Sequence, residues 1–237
     1  MIEERRRRVF AAVFQAGKFD FTARPDGART LHKPLIFVAG LGRCGSTLTM
    51  NMLASTGVPC TGKPPIYELE SFIGSVPDDF IIENQGKASK FLCPWAAPRI
   101  NPDLPWVMLW LDRDREQQNK SMVKFMTDVT GHRYTRREIR ASKANMPDER
   151  RRSLLVASRA GKPLKTIRFE DLIEHPLSSA CMIAEFLKPF GYDLDAGVMA
   201  SQAKPRSTEC RPDLSTEYAL TKEAKWRSAN TGSPTGT

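Results

Sequence analysis

Residues 35–58, LIFVAGLGRCGSTLTMNMLASTGV, decide how the rest of the chain is read. An apolar run, Leu35-Ile36-Phe37-Val38-Ala39, meets a glycine-punctuated loop, Gly40-Leu41-Gly42-Arg43-Cys44-Gly45. Ser46 and Thr47 then open an apolar-periodic stretch (Leu48, Met50, Met52, Leu53) that stops at Gly57 and Pro59. The pattern predicts a strand over 35–39, a tight loop and a helix over 46–56. Such a loop aims backbone N–H groups at one point beside the positive end of a helix, which suits a phosphate or sulfate. Gly40 and Gly45 stand in register with the glycines of the nucleotide-clamping signature in which lysine and then serine or threonine follow the second glycine. Ser46 occupies that lysine position, and the cation, Arg43, lies inside the loop instead. A site that clamps β/γ-phosphates loses its main ligand without the lysine; a loop gripping a different anion has no need of it.

A second stretch, residues 106–125, reads WVMLWLDRDREQQNKSMVKF: an apolar strand pattern followed by a charged segment of helical character. Arg113 and Ser121, eight residues apart, fall at the strand end and within the helix. An arginine there offers a planar fork of donors to a phosphate, and a helical serine adds a hydroxyl. Arg115 is an alternative to Arg113.

Together these stretches resemble the sulfotransferases that use 3′-phosphoadenosine 5′-phosphosulfate (PAPS). That family's 5′-phosphosulfate loop runs proline, a cation, a hydroxyl residue, glycine and two hydroxyl residues. Gly42-Arg43-Cys44-Gly45-Ser46-Thr47 matches it at Arg43, Gly45, Ser46 and Thr47 and departs at Gly42 and Cys44. The family's 3′-phosphate element is an arginine and a serine eight residues apart. Arg113 and Ser121 keep that separation, with Asp114 where proline is usual. Between the two, Lys90-Phe91-Leu92-Cys93-Pro94 is similar to the segment carrying a lysine that neutralises the transferring group and a histidine base. Lys90 and Pro94 match, Leu92 stands in the histidine position, and Lys87 is a rival to Lys90. A base from elsewhere is therefore implied. The segment Gly62-Lys63-Pro64-Pro65-Ile66-Tyr67-Glu68-Leu69-Glu70 resembles the glutamate-bearing loop of bacterial members, which makes Glu68 the first candidate and Glu70 the second. Thr166 to Leu172 and Ile183 to Leu187 resemble the family's last strand, acidic turn and helix, and Lys225-Trp226-Arg227 its basic-tryptophan element.

The resemblance implies a three-layer α/β/α fold with a central parallel sheet, P-loop sulfotransferase-like, formed by a single domain over residues 1–237. Residues 1–33 are expected as an N-terminal helix with a lead-in, and 228–237 as a disordered tail. The implied donor is PAPS, with 3′,5′-ADP as product and no metal. Its implied ligands are Gly42, Arg43, Cys44, Gly45, Ser46, Thr47, Arg113 and Ser121, and the catalytic set is Glu68, Arg43 and Lys90. The implied acceptor is a hydroxyl or amine of a small molecule or glycan. Two alternatives stand beside this reading. One is a nucleotide or small-molecule kinase, for which Asp112 is the candidate acidic strand end; the other is a sulfotransferase-like protein that binds without turnover.

Composition fits an anionic ligand. The chain has 237 residues and a net charge of +9, with basic runs at Arg5 to Arg8, Arg133 to Lys143 and Arg150 to Arg152. Sparse aromatic interleaving argues against nucleic acid as a partner. The five cysteines lack metal-ligand spacing, and the three histidines are scattered, so reduced thiols and a cytoplasmic location are expected. No apolar run approaches the length of a membrane span. Further helices are predicted over 115–128, 133–160 and 177–190, and further strands near 89–92 and over 106–112 and 164–169. Segment 57–88 reads as a loop region with one short helix.

Overall fold

The computed structural model describes residues 33–67 and 72–203. The expected lead-in, Glu68 and Glu70, the basic-tryptophan element and the tail lie outside the described residues. Four strands form one parallel sheet: β1 (Leu35–Gly40), β2 (Ala88–Leu92), β3 (Trp106–Asp112) and β4 (Leu164–Arg168). Their order across the sheet is β2-β1-β3-β4. The helices are α1 (Ser46–Ser55), α2 (Asp78–Glu83), α3 (Arg115–Thr130), α4 (Arg136–Arg159), α5 (Phe169–Glu174), α6 (Pro176–Leu187) and α7 (Ala196–Ala200).

All six residues of β1 are buried, as befits a central parallel strand covered on both faces. Alternation sorts its side chains. Ile36 and Val38 pack with Met50 and Leu53 of α1 and Ile183 and Leu187 of α6, whereas Leu35, Phe37 and Ala39 pack with Ile81 of α2 and Met146, Val156 and Ala157 of α4. The two apolar clusters make the three layers that the sequence predicts. Within the described residues the predicted strands and helices are present with ends shifted by a few residues, and the acidic turn after β4 is itself a short helix, α5; the predicted N-terminal helix lies outside them. Segment 133–160 is one long helix whose Thr135 and Glu138 form a reciprocal capping box.

The strand order fixes where a ligand can sit. From β1 the chain moves to β2 on one side and then crosses back to β3 on the other, so the connections diverge at the carboxyl ends of β1 and β3. Crevices in open α/β sheets open at this switch point. Gly40 pairs with Leu111 there, and the approach is close: a Cβ on Gly40 would lie 2.8 Å from the Leu111 carbonyl oxygen and 2.5 Å from the Cys44 sulfur. Backbone cannot retreat from that contact as a flexible side chain can. Gly40→Ala is expected to lower stability by about 1–3 kcal/mol, the usual cost of overpacking, read as a lower urea midpoint at unchanged m-value.

Candidate active site

The loop after β1 owes its shape to two residues with positive φ, Arg43 at 66° and Gly45 at 97°. Gly45 caps α1, and no side chain at the cap position bonds back to the first turn, although the Ser46 N–H meets the Cys44 sulfur. A Cβ on Gly45 would meet the Phe169 ring at 2.4 Å, so this position needs glycine for both its dihedral and its space.

Three successive carbonyls of the loop are bound by the β3–α3 segment. Gln118, buried, donates through Nε2 to the Leu41 oxygen (3.1 Å) and the Gly42 oxygen (2.9 Å). Arg113 donates through Nη1 to the Arg43 oxygen (2.8 Å), and its guanidinium lies over the Phe169 ring at 4.4 Å. Arg43 in turn donates through Nε to the Ser121 hydroxyl (3.2 Å) and lies over the Phe125 ring at 5.0 Å. Arg43, Arg113 and Ser121, expected from two distant stretches of sequence to bind an anion, therefore share one cluster.

Lys90 approaches from the other side. It sits mid-strand on β2, opposite Val38 of β1, and is 4% exposed; its Nζ donates to the Thr47 hydroxyl at 2.9 Å. Its rival Lys87 immediately precedes β2, at the amino end of the strands, where its Nζ donates to Asn84 Oδ1. Ser46 is buried at the start of α1. Leu92, at the expected histidine position, packs against the α1-side core. Tyr67, immediately before the two candidate glutamates, is buried in that same core.

The departures from the family pattern have local causes. Asp114 caps α3, accepting the Gln117 N–H at 2.9 Å, while its own N–H donates to Glu170 Oε1 at 3.1 Å. Gly42 lies against Met122, whose methyl group would be 2.4 Å from an added Cβ. Cys44 is fully buried, so at this position the side chain fills core and only backbone remains for an anion. Arg115 is exposed at the start of α3 and takes no part in the cluster of Arg43, Arg113 and Ser121. Asp112 is held by Arg150 of α4, whose Nη2 reaches its Oδ1 at 2.8 Å and the Arg113 carbonyl at 2.9 Å.

Gln118, Arg150, Phe125, Phe169 and Glu170 escape sequence reasoning. Gln118 follows an identical residue, and Arg150 opens an arginine run that reads as a solvated helix face. Only the separation of Gln118 from Arg113, a little over one helical turn, hints that it faces the same loop.

No family's sequence model and no curated protein matches the chain. Among solved structures, it is similar to a sulfotransferase domain from the curacin biosynthetic pathway, at 16% identity and a TM-score of 0.45, covering 86% of this chain and 94% of that one. It is also similar to the sulfotransferase STF9 from Mycobacterium avium, at 12% identity and a TM-score of 0.43, covering 95% of this chain and 73% of that one. Both likenesses are weak, and neither assigns a residue. Among the described residues, no helix is long and apolar enough to cross a membrane.

The donor set suits a polyanion such as a nucleotide carrying phosphate and sulfate. Guanidinium groups, a lysine, hydroxyls and an uncapped helix N-terminus surround a loop that glycine keeps free of side-chain bulk. Beneath it, burial pushes the Cys44 thiol from an ordinary 9.0 up to about 12 and the Cys60 thiol up to about 11. The folded state then keeps both protons at pH values where the unfolded chain releases them. This contribution is complete below the ordinary thiol value and is lost as pH rises toward the folded values. The urea midpoint is expected to fall between about pH 8 and about pH 10, and less so in Cys44→Ala, measured against the same variant at the lower pH.

Proposed function

We propose that the chain is a PAPS-dependent sulfotransferase acting on a hydroxyl or amine acceptor, folded as one domain. The observation that carries the reading is the meeting of Arg43, Ser121 and Arg113 with the glycine loop on one side of the switch point, and of Lys90 with Thr47 on the other. Two separate cationic groups joined by one loop suit a ligand with phosphates at both ends. PAPS, when bound, supplies an activated sulfuryl group on a phosphosulfate linkage.

In this reading the loop N–H groups, Ser46 and Thr47 hold the 5′ end, and Arg113 and Ser121 hold the 3′-phosphate. Lys90 places its ammonium beside Thr47 and neutralises charge that grows on the departing phosphate. Arg43 leans toward α3 through Ser121, so it links the loop to the 3′ element as well as adding positive charge. The acceptor proton goes to Glu68, with Glu70 as the second choice; a carboxylate serves when burial raises its pKa toward neutrality.

Nucleotide binding and turnover test separate parts of the proposal. Arg113→Ala and Ser121→Ala are expected to weaken 3′,5′-ADP about ten- to a hundredfold by calorimetry, with little change for 5′-AMP, which lacks the 3′-phosphate. Equal losses for both nucleotides would refute the 3′ assignment. Glu68→Gln is expected to lower kcat by about 10²–10⁴-fold with PAPS affinity nearly unchanged. Retained turnover in both Glu68→Gln and Glu70→Gln would place the base elsewhere.

A further inference from the structure

Helices α3 and α4 form an antiparallel pair beside the site. Asn119 donates to the Ile139 carbonyl and accepts from Ser142, Glu116 pairs with Lys143, and Asp112 at the foot of the pair meets Arg150. These contacts fix which rows of each helix face the other. On α3, Gln118, Ser121 and Phe125 turn toward the loop while Glu116 and Asn119 turn toward α4. Lys120 and Lys124, four apart, fall on the remaining outward flank, and both are exposed. On α4, Met146, Val156 and Ala157 enter the core and Ser142 and Lys143 meet α3. Helical spacing puts Arg136 and Arg140, also exposed, on the matching outward flank.

Because the helices run in opposite directions, these two flanks lie on the same side of the pair and form one cationic strip. Within each helix the charges repeat at about 6 Å along the axis. None of the four makes an ion pair with a described residue, whereas Arg151 and Arg152, farther along α4, both pair with Asp148. The acids nearby are otherwise engaged: Glu116 with Lys143, and Glu138 with His132 and the cap of α4. Asp128, one turn beyond Lys124, is the acid left on this flank. The strip begins at the residue before Ser121, so it runs up to the edge of the candidate site.

We infer that this strip is a docking surface for a polyanionic oligosaccharide, which supplies the acceptor hydroxyl from its own length. The inference rests on the sulfuryl-transfer reading for the choice of a hydroxyl-bearing chain. Repeated carboxylate or sulfate groups on a saccharide match a row of regularly spaced cations, and the sugar carries hydroxyls that an acidic peptide mostly lacks. A single-stranded nucleic acid draws much of its affinity from stacking on aromatic rings. The strip's own positions offer none, and Phe125 is turned toward Arg43.

Calorimetry with a heparin octasaccharide tests the surface in the full chain. The variant Lys120→Gln/Lys124→Gln/Arg136→Gln/Arg140→Gln is expected to bind it roughly ten- to a hundredfold more weakly, with a shallower salt dependence. Arg151→Gln/Arg152→Gln, which removes two charges from the same helix, is expected to stay within about twofold of wild type. The fourfold variant is expected to bind 3′,5′-ADP as wild type does; a parallel loss would mean that the strip serves the nucleotide, and would overturn the inference. So would unchanged octasaccharide binding in the fourfold variant, or equal affinity of the wild type for polyglutamate or a DNA strand of the same charge. Octasaccharide binding that depends on the strip, in a chain that never turns over PAPS, leaves the surface standing and overturns the transfer reading.

Discussion

The carbonyl oxygens of Leu41, Gly42 and Arg43 are the constraint on which the rest of the candidate site depends. A tight loop between a buried strand and a helix leaves such groups without ladder partners, and an unmet buried carbonyl costs about 1–3 kcal/mol. Gln118 and Arg113 meet all three. A trans peptide is planar, so carbonyls turned toward α3 turn the N–H groups of Gly42, Arg43 and Cys44 the other way. The same bonds that satisfy the loop therefore also set the direction of its donors. They reach across 70 to 77 positions of sequence, which makes the geometry of the loop a property of the β1–β3 pairing and not of the loop alone.

That dependence explains why residues around the site need close packing as much as charge. Gly40 lets β1 and the loop approach Leu111, Gly45 clears the Phe169 ring, and Phe169 in turn supports the Arg113 guanidinium. Arg150 holds both Asp112 and the Arg113 carbonyl, so the backbone at the end of β3 is fixed from α4 as well. A guanidinium is a useful phosphate ligand only when its fork is pre-aimed, because ordering a long side chain costs about 2 kcal/mol of rotamer freedom. Rings on one side and carbonyl or hydroxyl acceptors on the other take up that cost during folding.

The fold was legible because its signals are local. β1 and β3 are apolar runs, and α1 follows a loop whose glycines sit where positive φ (Gly45) or close packing (Gly40, Gly42) requires them. Arg43, Arg113 and Ser121 were legible as spacings, and the structure brings them into one cluster. Gln118 and Arg150 were not, because their importance comes from which carbonyls and carboxylates they reach, and the sequence around them is that of an ordinary polar helix. The ambiguity between Lys87 and Lys90 was also tertiary in origin. Only two residues lie between them, but the strand carries one toward Thr47 and leaves the other at its amino end, beside Asn84.

The substitutions that set this chain apart from the family pattern form a consistent group. Asp114, in place of proline, starts α3 by capping where proline would do so by its fixed φ. Cys44, in place of a hydroxyl residue, gives up a side-chain donor and gains core packing under the loop, with its thiol held neutral by burial. Gly42, in place of proline, restores an N–H to the loop and makes room for Met122. Together they leave backbone groups and the flanking cations, rather than hydroxyl side chains, as the polar groups at this end of the loop. Leu92, where the family pattern has a histidine, packs against the α1-side core two residues along β2 from Lys90, so apolar surface replaces an imidazole near the ammonium. In less polar surroundings a single ammonium acts more strongly on developing charge than it would in water. Under the proposed sulfuryl transfer, with leucine in place of the imidazole, proton removal is assigned to Glu68 or Glu70, outside β2.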